Sequence, residues 1–371
     1  MRDIGTMPDF GLGWLEARGP SSDVVLSTRI RLARNLQAHA FVSRVREPER
    51  AEIFEQVKEA AGHSEVLRAG MALELADLTP LSRQVLLERH LISRELAGEA
   101  GRTPPRGTGL IMGGQEDVGL MVNEEDHLRL QCLMSGLCLQ EAYQVLDGLD
   151  EELGAALPMA YHQEFGYLTS CPTNVGTGLR ASILIHLPGL VLTKEISKVL
   201  QGLGQVGLTF RGLYGEGSEV VGNFFQISNQ TTLGKSEEDL LDHLQKIVGQ
   251  VIHYELQARN VLMRDARTVM EDKIWRAYGL LRYARSLSFD EVMNLLSGVR
   301  LGVSMNLLGG LRVYTLNKIM IFSQAAHLEQ AAGRSLSEAE GDLHRAAYVR
   351  RILAREGQVP TELDGPEVAG A

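Results

Sequence analysis

The sequence predicts an α+β protein: an antiparallel sheet flanked by helices, followed by an all-α C-terminal domain. Three observations predict it. Short apolar runs bounded by Gly, Pro, Asn or Asp recur through the first two-thirds of the 371 residues. Between them lie stretches in which apolar residues return three or four apart, the helical period. Beyond about residue 255 nearly everything to 356 reads helical, with almost no strand signal.

The strand candidates are 24–30, 109–112, 119–122, 128–132, 167–169, 182–186, 207–210 and 224–228. Helical periodicity marks 48–60, 80–96, 134–153 and 193–203, which are expected to cover one face of the sheet. Ser236 and Asp239 have capping-box spacing, and Leu240, Leu241, Leu244, Ile247, Val248, Val251 and Ile252 form one apolar stripe, so a long helix starts there. Helices follow at 289–296, 315–332 and 337–356. The expected organisation is a mixed strand-and-helix domain over 1–254, a helical domain over 255–356, and a disordered tail from 357 that is rich in Gly, Pro and acids.

Composition narrows the function. With 37 Lys and Arg against 47 Asp and Glu, the formal charge of -10 disfavours a nucleic-acid binder. An apolar content of 44% is ordinary for a globular chain. No run reaches the roughly 18 apolar residues of a membrane span, and the N-terminus has no signal pattern, so a soluble cytoplasmic protein is expected. Cys132, Cys138 and Cys171 are too few for a disulfide framework and lack zinc-ligand spacing. Gly202 to Gly207 match GxGxxG, but a helix precedes them and a strand follows, the reverse of a dinucleotide fold. No P-loop occurs, so any nucleotide phosphates must be held by side chains.

Four segments carry chemistry. In Ser27-Thr28-Arg29-Ile30-Arg31 the two arginines lie two apart and share one face of a strand, either a guanidinium surface or a solvated edge. Asn123-Glu124-Glu125-Asp126-His127-Leu128-Arg129 sets three acids between strands, as a solvated turn or a mounted site. Cys171 to Arg180 is a polar, glycine-rich loop led by a cysteine, which is a small loop residue or a thiolate beside a bound group. Arg211 to Gly217 is a glycine-hinged loop with Glu216 near its tip, a hairpin connection or a mobile lid. Together Arg29, Arg31, Arg129, Arg180 and Arg211 form a phosphate-binding inventory, because guanidinium forks match phosphate oxygens bidentately.

These four segments, STRIRLARN, NEEDHLRLQ, CPTNVGTGLRAS and RGLYGEG, resemble in sequence and order the phosphagen (guanidino) kinase family, specifically its bacterial branch of McsB-type protein arginine kinases. The resemblance implies a phosphagen-kinase-like catalytic domain and transfer of the ATP γ-phosphoryl group, with Mg²⁺, to arginine side chains of proteins. It implies that the five arginines hold the phosphates, that Glu125 is the base, that Glu216 is a second carboxylate and that Cys171 contacts the guanidinium. Asn174 and Thr177 would support the loop. His90 matches a nucleotide-contacting histidine of the family, or is a helix histidine satisfied in the core. Mg²⁺ has no dedicated carboxylate cage in the sequence and is expected on phosphates and water. Only 26 residues precede Ser27, so the additional helical domain that small-molecule phosphagen kinases carry there is read as missing. That favours a protein-borne arginine over free arginine or another small guanidine.

Two departures from the family stand out. Gly341-Asp342-Leu343-His344-Arg345-Ala346 has glycine where relatives lead a phosphoarginine-binding motif with arginine, leaving Asp342 and Arg345. Tyr214 replaces an arginine of the lid loop in metazoan arginine kinases. The resemblance further implies a homodimer, a zinc-binding activator protein, a heat-shock repressor as substrate in stress response, and a Clp-type protease that reads phosphoarginine. A non-catalytic phosphoarginine-binding adaptor is the alternative from another class, against which the intact Arg, Glu and Cys set counts.

Overall fold

The structure, a computed structural model, describes residues 12–98, 102–212 and 220–356. The expected lid with Tyr214 and Glu216, and the expected tail, lie outside these residues. The strands are β1 (Val25–Arg34), β2 (Met71–Glu74), β3 (Gly109–Met112), β4 (Val118–Val122), β5 (Leu128–Ser135), β6 (Tyr161–His162), β7 (Gly166–Tyr167), β8 (Leu179–His186), β9 (Leu208–Arg211) and β10 (Phe224–Asn229). Eight of them form one sheet in the order β2-β3-β4-β5-β1-β8-β10-β9, antiparallel at every step, while β6 and β7 make a separate hairpin. The helices are α1 (Glu47–His63), α2 (Pro80–Glu88), α3 (Arg94–Ala97), α4 (Leu139–Ala156), α5 (Pro188–Leu192), α6 (Ile196–Gln205) and α7 (Glu237–Asp265), followed by α8 (Arg267–Tyr283), α9 (Phe289–Ser304), α10 (Val313–Phe322), α11 (Ala325–Ala332) and α12 (Glu338–Arg355). Among the described residues no helix is long and apolar enough to cross a membrane.

Side-chain alternation gives the sheet two different faces. Ile30, Leu32, Leu120, Leu130, Ile183 and Ile227 bury one face beneath α1, α4 and α7, whose stripes supply Ile53, Val57, Leu146, Leu149, Leu244 and Val248. The opposite face is apolar only at its ends. At one end Leu110, Met112 and Met121 meet α2 and α3. At the other end Leu133, Leu184 and Phe224 join Trp14 in a core built mostly of C-terminal helices, with Ile274, Met293, Leu296 and Ile319. Between these two lids the middle of the face stays polar.

The expected elements change at four places. Residues 80–96 do not form one helix on the common face. α2 ends at Glu88 because Arg89 turns inward to a buried, bidentate pair with Glu116 (2.8 Å for each bond), and His90 adopts a left-handed φ of 61°. Met134 and Ser135, read as helical, instead extend β5 opposite Thr28 and Ser27, and the chain turns at Gly136 before α4. The 315–332 segment is two helices broken at Ser323 and Gln324. β2, an edge strand, had no legible signal, since half of its four residues are exposed and none is buried. The Ser236 capping box starts α7 as read, and that helix runs on through residue 255 to Asp265.

Candidate active site

β1 is central, paired with β5 on one side and β8 on the other, which rules out the solvated-edge reading of its arginines. Register then gathers the five predicted arginines. Arg31 lies directly opposite Arg180, Arg129 faces Ala33 two residues further along β1, and Arg211 faces Gln226 on β10. All point to the polar middle of the open face, into a cleft of about 740 Å³. Arg29, Arg31, His90, Glu125, Arg129, Cys171, Asn174, Arg180, Arg211 and Arg345 line it. Thr177 and Asp342 stand behind that lining.

The cleft is over-supplied with positive charge. Burial, then Arg180 and Arg129, lower the Arg29 guanidinium to about 10, and burial, then Arg29, Arg129 and Arg180, push Arg31 well below its ordinary value. Arg29 Nη2 donates to Gln226 Oε1 at 3.2 Å, whereas Arg31 Nε is buried with no acceptor among the described residues. His90 drops to about 3 through burial and the nearby Arg29, so it is a neutral imidazole here. Its carbonyl accepts from Gln131 Nε2 (2.8 Å), and its ring meets Trp14 edge-on. A polyanion would relieve this crowding, and the orphaned Arg31 donor fits a phosphate oxygen.

At the mouth stand the carboxylates and the thiol. Arg129 spans both acids, donating to Glu124 and to Glu125 Oε2 at 2.7 Å each. Burial raises the Glu125 carboxyl above its ordinary value, partly offset by Arg129. Cys171 Sγ lies 3.0 Å from Thr173 Oγ1 at the start of a 3-10 turn over Pro172–Asn174.

A residue that sequence reasoning gave no role joins these two loops. Asp126, fully buried, accepts through Oδ1 from Asn35 Nδ2 and from the Ser170 amide, both at 2.6 Å. In turn, Asn35 Oδ1 accepts from the His127 amide (2.9 Å). One Asn–Asp pair therefore fixes the Glu125 loop against the Cys171 loop. Both residues sat inside the quoted motifs, but only the fold reveals that they meet.

The far end of the Cys171 loop is set by Thr177 and Gly178. The Thr177 carbonyl accepts from Arg34 Nη1 (2.9 Å), and its hydroxyl accepts from the Leu179 amide (3.1 Å). Arg34 is anchored in turn by Asp150 of α4. Gly178 needs φ of 67°, and a Cβ there would lie 2.6 Å from the Ala33 carbonyl oxygen. This packs the loop tightly against β1.

The C-terminal half supplies a wall of Phe289, Gln324 and Ala325, which were not foreseen, beside the expected Arg345. Glu88 of α2 caps α11, accepting from the Ala326 amide (2.8 Å), the His327 amide (3.1 Å) and His327 Nδ1 (2.6 Å). Arg345 pairs with Asp342 (2.5 Å) and donates to the carbonyls of Ser323 and Leu287 (2.8 and 2.9 Å), thereby holding the α10–α11 turn.

Fold and cleft together define a phosphoryl-transfer enzyme. Residues 52–258 match the ATP:guanido phosphotransferase C-terminal catalytic domain, and residues 267–363 match the protein-arginine kinase McsB C-terminal domain. The protein-arginine kinase of Moorella thermoacetica is 46% identical over 344 residues, covering 92% of this chain and 97% of that protein. That of Bacillus cereus strain G9842 is 44% identical over 346 residues, covering 92% and 96%. Among solved structures, the duplicated taurocyamine kinase of Schistosoma mansoni with bound transition-state-analogue components superposes with a TM-score of 0.58 at 27% identity, over 65% of this chain and 34% of that one. A lombricine kinase shares the fold, with a TM-score of 0.56 at 23% identity over 68% and 72%. The chain belongs to the ATP:guanido phosphotransferase family, in its protein-arginine kinase branch.

Proposed function

We propose that this enzyme transfers the γ-phosphoryl group of ATP to arginine side chains of proteins, giving phosphoarginine. The carrying observation is the cleft itself: five arginines converge on one sheet face, one of them with an unmet donor, and end at a mouth holding Glu125 and Cys171. In this reading Arg29, Arg31, Arg129, Arg180 and Arg211 bind the phosphates, and neutral His90 borders the nucleotide. Among the described residues no three carboxylate, imidazole or thiol groups gather to hold a metal ion, so Mg²⁺ would travel on the phosphates and spread the transferring charge.

The acceptor guanidinium, with a pKa above ~12, needs a positioned base to become a nucleophile. Glu125 takes its proton while Cys171 and Glu216 orient the fork. In the free enzyme Glu125 is occupied by Arg129. Phosphates arriving at Arg129 compete for that fork and release Glu125 to the acceptor, so nucleotide binding prepares the base. Asp342 and Arg345 would grip a phosphoarginine at the helical wall. By the same family reading the enzyme works in the cytoplasm as a homodimer, in stress response, with a heat-shock repressor among its substrates, a zinc-binding protein as activator and a Clp-type protease reading the mark.

The test offers labelled Mg-ATP with an unfolded arginine-rich protein and, separately, with free arginine. Acid-labile label on the protein supports the reading, while label on free arginine alone overturns the substrate class. Glu125→Gln should lower transfer by about 10²–10⁴-fold with ATP binding and melting temperature kept. Undiminished turnover would remove Glu125 as the base.

A further inference from the structure

His90 occupies a position made for glycine. At the C-terminus of α2 the His90 amide donates to the Leu87 carbonyl (2.9 Å) and the Leu91 amide to the Leu86 carbonyl (3.0 Å), the paired bonds of a Schellman cap. Such a cap puts its central residue in the left-handed region, where glycine is the usual occupant, and His90 sits there at φ 61°. A side chain kept in strained backbone beside a cleft is one whose direction matters. Contacts outside the cleft fix that direction. The His90 carbonyl accepts from Gln131 Nε2 (2.8 Å), its ring meets Trp14 edge-on, and the preceding residue, Arg89, is fully buried and forked onto Glu116 (2.8 Å for each bond). The Arg89 guanidinium also lies 5.3 Å from the ring centroid of Phe322 in α10. Glu116 is held in the tight turn between β3 and β4, at a left-handed φ of 57°, with its amide donating to the Gly113 carbonyl (3.2 Å). The ion pair therefore joins two strained turns, one of which reaches the cleft through His90.

We propose that Glu116 is a positioning residue for the nucleotide: through Arg89 it holds His90 against the ATP site, although neither Glu116 nor Arg89 lines the cleft. The inference rests on the reading of His90 as a nucleotide contact. Stability alone does not account for the pair. A buried ion pair can be replaced by apolar residues of similar volume with little or no loss of stability, so what it adds is geometry, a planar fork that fixes the orientation of the arginine. Arg89 and His90 share a peptide group. An Arg89 that leaves the fork turns that peptide and moves the imidazole from its place beside Arg29.

The test is a cycle of variants of the full chain, each titrated calorimetrically with Mg-ATP. Glu116→Gln should weaken ATP binding about tenfold and lower the melting temperature, while kcat at saturating ATP and KM for an unfolded arginine-rich protein stay within about twofold of wild type. His90→Gly suits the left-handed backbone, so it should fold, yet bind ATP about tenfold more weakly. In that background Glu116→Gln should weaken ATP binding no further, because the residue it acts through is gone. A full additional loss there, or unchanged ATP affinity in Glu116→Gln alone, would overturn the proposal and leave the pair a purely structural tie. Should Glu116→Gln fail to fold, Arg89→Met with Glu116→Leu replaces the pair by apolar side chains and should keep the fold. About tenfold weaker ATP binding in that variant supports the proposal, and wild-type affinity overturns it. Unchanged ATP affinity in His90→Gly would instead defeat the nucleotide reading of His90 itself, before Glu116 is considered.

Discussion

Asn35 and Asp126 show how a site depends on residues that touch no ligand. Asn35→Ala leaves the buried Asp126 carboxylate and the His127 amide each short of a partner, a loss of about 1–3 kcal/mol per unmet group. The expected outcome is a lowered melting temperature and a fall in kcat with the ATP dissociation constant kept, because the tie sets Glu125 against Cys171 and not the arginines. A weakened ATP affinity with normal kcat would contradict this. Glu125 also predicts a pH dependence. Transfer needs its carboxylate, and burial raises its pKa, so activity is lost as pH falls through a value above the ordinary 4.5. With nucleotide bound, Arg129 turns to the phosphates and its lowering influence fades, moving the acid limb of kcat/KM for the acceptor further up. The sign for stability is opposite: above the raised pKa the buried charge disfavours the fold, and the penalty disappears on acidification. At this scale the arginines, Glu125 and Cys171 were legible because reactive chemistry leaves unusual residue types in strand ends and loops. Asn35, Asp126 and Gln226 were not, because ordinary polar residues acquire a role only from what folds against them.

Elements were legible where their hydrophobic period was clean and illegible where one buried ion redirected the chain. The stripe of α7 and its capping box read directly. The 80–96 segment has helical period throughout, yet the Arg89–Glu116 pair lies between residues 27 apart in sequence and no local pattern announces it. That break is what brings His90 to the cleft. α12 allows a direct test of an element. Gly341 lies within it, and a Cβ there would meet nothing within 4 Å. Gly341→Arg should therefore fold, gain up to about 1 kcal/mol from helix propensity, and tighten binding of phosphoarginine beside Asp342 and Arg345. Calorimetric titration with free phosphoarginine checks it, and a destabilised or non-binding variant would refute it.

Across the whole molecule, the helical half is part of the catalytic cleft. Glu88 reaches from α2 to cap α11, whose first turn supplies Ala325 to the wall, and the next two residues run through Arg89 to His90. Glu88→Ala should leave two amides of α11 without that acceptor, lower the melting temperature and weaken ATP binding. An unchanged ATP affinity would show that the wall is passive. None of this contact was legible beforehand, since the 88–90 and 324–327 segments are far apart in sequence. The shared core has a consequence for how such an activity can be moved between proteins. Leu133, Leu184 and Phe224 lie on the same sheet face as the arginines and, among the described residues, share their core with Leu12, Trp14, Leu15 and the C-terminal half. A cut after Asp265 would bare them next to the phosphate site and turn a charged cleft into an adhesive one. The kinase is therefore not a cassette with an optional appendix: transplanting the activity means carrying both halves, and drift in the helical half is visible to selection through the chemistry.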